Sequence, residues 1–191
     1  MLAYDHLTLA ARNYRWYTRF AMIVSNGPRQ LRRDLQRGST KHLKLRRGII
    51  GASMAGMASM VPVTMLQTGM IRHLPDPPLK GFHSDAANSS LVAYKFGVPD
   101  SAISVASFAV NIPLAAFGGA DRARTKPLIP LIAAGKAAID AAVSLWYFDK
   151  MRRGKKWCPY CIVGAMSSLT VFLLTVPEAL SAWSHLQSRN V

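Results

Sequence analysis

The sequence has 191 residues, of which 50% are hydrophobic and 17% are charged, and its formal net charge is +15. The charged fraction is low for a soluble domain, where about 25% is usual. Two cysteines are too few for a small secreted fold that disulfides hold together. The basic charge suits an anionic membrane surface, and we expect no nucleic-acid partner because no zinc-finger spacing or recognition-helix pattern is present.

The first 47 residues are strongly basic, with eleven Lys or Arg residues against two acidic ones. Arg12, Arg15 and Arg19 share one face of a helix predicted over residues 7–24, which is typical of a helix lying at a membrane surface. Packing of this helix on other protein is the alternative. The same arginines exclude a cleavable signal peptide, because they interrupt any apolar core. We expect residues 1–47 to form a basic, amphipathic N-terminal segment.

Four apolar blocks follow, over residues 48–71, 101–120, 127–148 and 160–180. The first block carries no charge along its whole length, and at about 1.5 Å per residue it is long enough to cross a hydrocarbon core of about 30 Å. The blocks therefore predict an all-α integral membrane protein, with a four-helix transmembrane bundle over residues 48–183 and a short tail over 184–191.

Lys and Arg residues favour one orientation of this bundle. The N-terminal segment, the turn 121–126 and the tail carry fifteen of them, whereas the loop 72–100 carries three and the turn 149–157 carries five. Loops rich in Lys and Arg stay on the cytoplasmic side. We therefore expect a cytoplasmic N-terminus, although the basic turn 149–157 opposes this orientation.

The two cysteines, Cys158 and Cys161, lie three residues apart where the last apolar block begins. Two thiols on one helical turn can approach bonding distance, and a helix N-terminus lowers the pKa of a thiol. Pro159 fits the first turn of a helix. Redox chemistry is the favoured interpretation; a pair of small buried side chains and a metal site are the alternatives. We expect no metal, because zinc needs about four ligands and no second cysteine pair exists.

Three features resemble the vitamin K epoxide reductase family, especially its bacterial members. These are Cys158-Pro-Tyr-Cys161 at the start of the fourth helix, the segment Asn88–Asp100 with its Phe-Gly-Val-Pro motif, and the long loop between the first two helices. The resemblance implies a four-helix bundle around a quinone (ubiquinone or menaquinone) in the bacterial inner membrane. It also implies that Cys161 faces the quinone and that Cys158 exchanges disulfides, with an extracytoplasmic thioredoxin-like protein as the partner.

The sequence departs from the family pattern in the loop, which contains no cysteine between residues 72 and 100. Many family members carry a cysteine pair there, and Ser89 or Ser90 stands where the second loop cysteine is expected. Serine cannot form a disulfide, so two alternatives follow from the resemblance. Either Cys158 reacts directly with the thiol of a partner, or the protein is a redox-inactive membrane scaffold or complex subunit that keeps the same fold.

Other polar residues are candidates for the site. Lys136 and Asp140 are four residues apart on one face of the third helix, where ionisable groups are functional candidates and a pair that only fixes packing is the alternative. The candidates for the quinone pocket are Asp100, Asn111, Tyr160 and Phe82. For Asp100 a helix N-cap is the alternative role, and for Asn111 it is packing.

Overall fold

The computed structural model describes residues 27–95 and 97–188. The helix predicted over residues 7–24 lies outside this part of the chain. Seven α-helices are present in the described residues, together with a 3-10 turn over Leu91–Tyr94. The helices are α1 Pro28–Arg37, α2 Lys41–Gln67, α3 Ser84–Asn88, α4 Asp100–Ala116, α5 Arg122–Thr125, α6 Leu128–Gly154 and α7 Pro159–Gln187.

Helices α2, α6 and α7 are long and apolar enough to cross a membrane by length and composition. Helix α2 begins at Lys41, seven residues before the apolar block, because the hydroxyl of Thr40 caps its first turn. Helix α4 has 17 residues and ends at Ala116, four residues before the predicted end. The chain turns there through Gly118, whose φ of 83° is left-handed. Over about 26 Å, α4 falls slightly short of a hydrocarbon core.

The long helices pack around α7, which lies along α2 and α6, while α2 also packs on α4. One hydrophobic cluster, Ile49, Ala115, Ala137 and Val171, joins all four of these helices. Helices α4 and α6 meet at few positions. A gap therefore opens between α4 and α6.

Many large apolar side chains on these helices point outward. Ile139 on α6 and Leu173 on α7 are each 66% exposed. Apolar surface of this extent is unusual for a monomeric soluble protein. Within the described residues the fold contains no β-strand, and Phe82 and Trp157 form an isolated bridge between the long loop and the turn before α7. The prediction of an all-helical fold is confirmed for these residues.

Candidate functional site

The two cysteines lie at the N-terminal end of α7, below the long loop. Cys158 is the N-cap residue, and its Sγ accepts a hydrogen bond from the backbone N–H of Cys161 at 3.2 Å. Pro159 occupies the first helical position, where its missing N–H costs nothing. Both cysteines are free, and they lie three residues apart at the first turn of α7. Two thiols on one helical turn can approach bonding distance.

Asn88, the last residue of α3, bridges the two thiols. Its Nδ2 donates to Cys158 Sγ at 3.3 Å and to the carbonyl of Ser84 at 2.8 Å. Its Oδ1 accepts from Cys161 Sγ at 3.4 Å. The amide therefore gives each sulfur a different role, because Cys158 is the acceptor and Cys161 is the donor. In the sequence Asn88 stands out only as part of a motif, and its contact with Cys158 across 70 positions was not predicted.

The hydrogen bonds to Cys158 favour its thiolate. The Cys161 side chain contributes most, and the Cys161 N–H and the Asn88 amide act in the same direction. Together they lower the pKa of the Cys158 thiol below its ordinary value, although burial opposes them. A hydrogen bond donated to the charged form of a group stabilises that form. Cys158 is therefore the thiol that these contacts prepare to ionise.

The loop covers Cys158 completely, so the exposed fraction of this residue is 0%. The backbone of Trp157 holds the loop in place, donating to Gly81 O at 2.9 Å and accepting from His83 N at 3.0 Å. On α7, the Tyr160 hydroxyl donates to the carbonyl of Pro75 at 3.0 Å. A protein partner therefore has no direct access to Cys158 in this conformation.

Cys161 lies on the wall of a cavity of about 560 Å³ that fills the gap between α4 and α6. The wall is mainly apolar, and Phe108 and Val143 contribute to it. Its polar residues include Asn88, Asp100, Ser104, Ser107, Asp140 and Tyr147. A cavity of this size with a few polar groups is typical of a site for a small organic ligand.

Gln67 at the end of α2 organises the loop end of this cavity. Its Nε2 donates to Asp100 Oδ1 at 2.8 Å and to the carbonyl of Asn88 at 3.3 Å. Its Oε1 accepts from the hydroxyl of Ser101. Gln67 thereby ties the start of α4 to the end of α3, which carries the amide between the two thiols. No sequence motif indicated this role.

The residues predicted for the ligand pocket occupy different places. Asp100 lines the cavity, whereas Phe82, Asn111 and Tyr160 are not among its lining residues. Phe82 lies against Trp157 in the bridge described above, because the loop folds back over the start of α7. The Tyr160 hydroxyl holds the loop instead of facing the cavity.

The two loop serines also differ in position. Ser89 is exposed, and its hydroxyl donates to the carbonyl of Asp85 at 2.5 Å. Ser90 is exposed at the start of the 3-10 turn and contributes to the wall of the cavity.

Lys136 and Asp140 form an ion pair inside the bundle, with Nζ and Oδ2 2.6 Å apart. Lys136 Nζ also donates to Ser107 Oγ at 2.7 Å and to Asn111 Oδ1 at 2.8 Å. Ser107 Oγ donates in turn to Asp140 Oδ1 at 2.8 Å. Asp140 and Ser107 line the cavity, so this cluster connects the cavity with the contact between α4 and α6.

A second charged cluster lies at the opposite end of the bundle from the cysteines. Glu178 on α7 pairs with Arg46 on α2 and with Arg122 on α5, and all three side chains are buried. Arg46 also donates to the carbonyls of Gly118 and Gly119 at 3.3 and 3.1 Å. Sequence analysis missed this cluster, because Arg46 and Arg122 resembled the other basic residues of a cytoplasmic face.

A comparison with protein families matches residues 48–176 to the model described as the vitamin K epoxide reductase family. The match covers more than half of the chain. The chain belongs to this family. The match confirms the resemblance that the sequence motifs indicated. Together with the three long apolar helices, it identifies the protein as an integral membrane protein. Membership in the family also supports redox chemistry within the membrane.

The family match includes both cysteines, Asn88 and the Lys136–Asp140 pair, but it ends before Glu178 and begins after Arg46. The N-terminal segment also lies outside it. No curated protein and no solved structure matches the chain.

Proposed function

We propose that this vitamin K epoxide reductase family member is a membrane thiol–disulfide oxidoreductase, which passes electrons from the Cys158–Cys161 dithiol to a quinone. The arrangement of the pair carries the proposal. Cys158 is held as a thiolate under the loop, and Cys161 lies on the wall of an apolar cavity large enough for a quinone ring. Thiol–disulfide exchange needs the thiolate of one cysteine, and electron transfer needs the other beside the acceptor.

The reaction has two halves. In the first, a partner thiolate attacks Cys158 Sγ of the disulfide, which forms a mixed disulfide and releases Cys161. A second partner thiol then attacks the mixed disulfide, and Cys158 leaves as a thiolate. A low pKa suits this leaving group. In the second half, the Cys158–Cys161 disulfide forms again while the quinone, a substrate in the cavity, takes two electrons and two protons and leaves as the quinol.

The proposal includes a place in the cell. We propose that four helices span a bacterial inner membrane, with the shorter α4 as the second, so that the cysteines are at the extracytoplasmic face and the basic residues 1–47 are on the cytoplasmic surface. Ubiquinone or menaquinone is the acceptor there. The basic helix α1 supports this orientation, because Arg29, Arg32, Arg33 and Arg37 are all exposed and attract anionic lipid headgroups.

The electron donor is an extracytoplasmic thioredoxin-like protein that reacts with Cys158 directly, because residues 72–100 contain no cysteine that could relay electrons. The loop covers Cys158, so the donor reaches it after the contacts of Trp157 and Tyr160 with the loop have opened. A loop on this scale moves on a nanosecond-to-microsecond timescale or slower.

The burial of Cys158 favours one further candidate function. A cysteine with an exposed fraction of 0% and no loop cysteine to serve it also fits a redox-inactive scaffold or complex subunit. In that case the hydrogen bonds around Asn88 only hold the loop on α7.

Thiol trapping distinguishes the two functions. Purified protein in lipid nanodiscs is reduced, separated from the reductant and incubated with a short-chain ubiquinone or with its quinol. A mass-tagged alkylating reagent added after denaturation then counts free thiols. We expect the quinone to remove both tags and the quinol to remove neither, with no loss of tags from Cys158→Ser or Cys161→Ser in the quinone sample. Equal tag counts in quinone and quinol samples of the wild type would exclude the oxidoreductase.

A further inference from the structure

The polar residues of α4 and α6 form two facing stripes, and all of them except Asn111 and Lys136 line the cavity. On α4 the stripe contains Asp100, Ser104, Ser107 and Asn111, and on α6 it contains Lys136, Asp140, Ser144 and Tyr147. The spacings of three and four residues keep each stripe on one helical face. From Tyr147 to Lys136 the α6 stripe descends by about 16 Å at 1.5 Å per residue. The stripe is therefore much longer than a row of polar residues needed only to form hydrogen bonds with one ligand ring.

The deep end of these stripes is a connected chain of hydrogen bonds. Lys136 Nζ donates to Ser107 Oγ, and Ser107 Oγ donates to Asp140 Oδ1. Lys136 also donates directly to Asp140 Oδ2 at 2.6 Å. Lys136 itself is not among the residues of the cavity wall, whereas Ser107 and Asp140 are. A proton can therefore pass from the Lys136 ammonium group to the cavity along an unbroken series of hydrogen bonds.

The series of hydrogen bonds also continues from Lys136 to Asn111, away from the loop. Asn111 is 4% exposed, its Oδ1 accepts from Lys136 Nζ, and its Nδ2 has no hydrogen-bond partner. On α2, the hydroxyl of Ser53 is likewise buried and without a partner. The contact of Gly56 with Phe108, one turn away on each helix, puts Ser53 and Asn111 at about the same depth. Buried polar groups usually have a hydrogen-bond partner, either a protein group or an internal water.

The proposed reaction needs a series of hydrogen bonds that can bring a proton to the quinone. In the proposed exchange Cys158 leaves as a thiolate, so the reduced pair then holds one proton, on Cys161. The balance is Cys158–S⁻ plus Cys161–SH plus quinone plus one proton, giving the disulfide and the quinol. Two electrons leave the sulfurs, one proton comes from Cys161, and the second must come from another group. The cavity wall is mainly apolar, so a titratable side chain that reaches the cavity is a candidate for the second donor.

We infer that Lys136, Ser107 and Asp140 form a proton relay that delivers this second proton to the quinone in the cavity. The inference rests on the proposed function. Asp100, Tyr147, Lys150 and Lys156 also line the cavity. Of the charged groups of the bundle, Lys136 and Asp140 are the pair that Ser107 connects by hydrogen bonds to the cavity wall.

The second charged cluster shows what a purely structural arrangement looks like in this bundle. The exposed fractions of Arg46, Arg122 and Glu178 are 0, 2 and 3%, and the guanidinium groups donate to helix-end carbonyls. The side chains of Lys136 and Asp140 are instead 22 and 21% exposed, and Asp140 faces the cavity. A pair needed only for packing gains nothing from this position.

The test is the double variant Lys136→Met with Asp140→Met. Replacing a largely desolvated ion pair by apolar residues of similar volume is often neutral for stability, so the variant is expected to fold. Because Asp140 lines the cavity, the quinone dissociation constant of the variant is measured first and rates are compared at saturating quinone. The matched control is Asp149→Asn with Arg153→Met, which removes an exposed pair with the same spacing on the same helix. Single-turnover quinol formation by the pre-reduced protein is followed across pH, with and without a small weak acid.

We expect the double variant to form quinol at least about a hundred-fold more slowly than the wild type and the control, as for the loss of a general acid. Its rate should fall further with rising pH, and the weak acid should restore it. An unchanged rate or pH profile in a variant that binds quinone would overturn the relay alone. A wild type that forms no quinol would overturn the proposed function and the relay together. A slow variant that the weak acid does not restore would assign the pair to packing and also overturn the relay.

Discussion

Replacing Glu178 by Gln should destabilise the bundle strongly, because one carboxylate neutralises two guanidinium groups. Arg46 Nε lies 3.0 Å from Glu178 Oε1, and Arg122 Nη2 lies 2.8 Å from Oε2. All three side chains are buried, so solvent cannot replace the lost charge. Removing one partner of a buried ion pair costs about 3–5 kcal/mol. Two guanidinium groups would then repel each other, so we expect a loss in the upper part of this range.

Thermal unfolding in detergent measures this effect. For a protein of this size, 1 kcal/mol lowers Tm by about 2–4 °C, so the variant should unfold about 10 °C or more below the wild type. The control is Asp149→Asn, which breaks an exposed ion pair with Arg153 and should cost about 0–1 kcal/mol. If Glu178→Gln unfolded within about 2 °C of the wild type, the carboxylate would not be what balances the two arginines.

Two further substitutions test the site. Asn88→Leu removes a hydrogen bond that stabilises the Cys158 thiolate, so the pKa of Cys158 should rise. The thiolate absorbance of the reduced protein should then appear at higher pH than in the wild type, and an unmoved titration would contradict the role of the amide. Gly56→Ala would put a Cβ less than 3.0 Å from three atoms of the Phe108 ring, which lines the cavity. We expect a loss of about 1–3 kcal/mol in thermal unfolding and weaker quinone binding. In Gly164→Ala the new Cβ meets the flexible end of a methionine side chain, so unfolding as early as in Gly56→Ala would contradict the argument.

The membrane helices were predictable because they depend on local composition. Long apolar blocks with few charges identified α2, α6 and α7, and the structure moves their ends by one to seven residues. The shift at α2 has a local cause, the cap at Thr40, and the early end of α4 comes from the glycines after Ala116. The family was also accessible, because its motifs are contiguous in the sequence.

The partners of side chains were not predictable in the same way. Arg46 and Glu178 are 132 positions apart, and only the packing of α2 on α7 makes them neighbours. Asn88 reaches Cys158 across 70 positions for a similar reason. The pair Lys136 and Asp140 was visible because both residues lie on one helix, but its contacts with Ser107 on α4 required the structure.

The two ends of the bundle differ in how tightly their polar groups are bonded. At the end opposite the cysteines, Glu178 and both arginines bond to one another and to backbone carbonyls, which fixes α2, α5 and α7 in one arrangement. Near the cysteines the polar groups are held less completely. The loop rests on α7 through a few hydrogen bonds, and the cavity separates α4 from α6. The loop and the cavity therefore lie at one end of the bundle, while the opposite end keeps the helices in register. The sequence has both of its cysteines at the end with the loop and the cavity, which under the proposed function is the end where the loop would open and a quinone would enter.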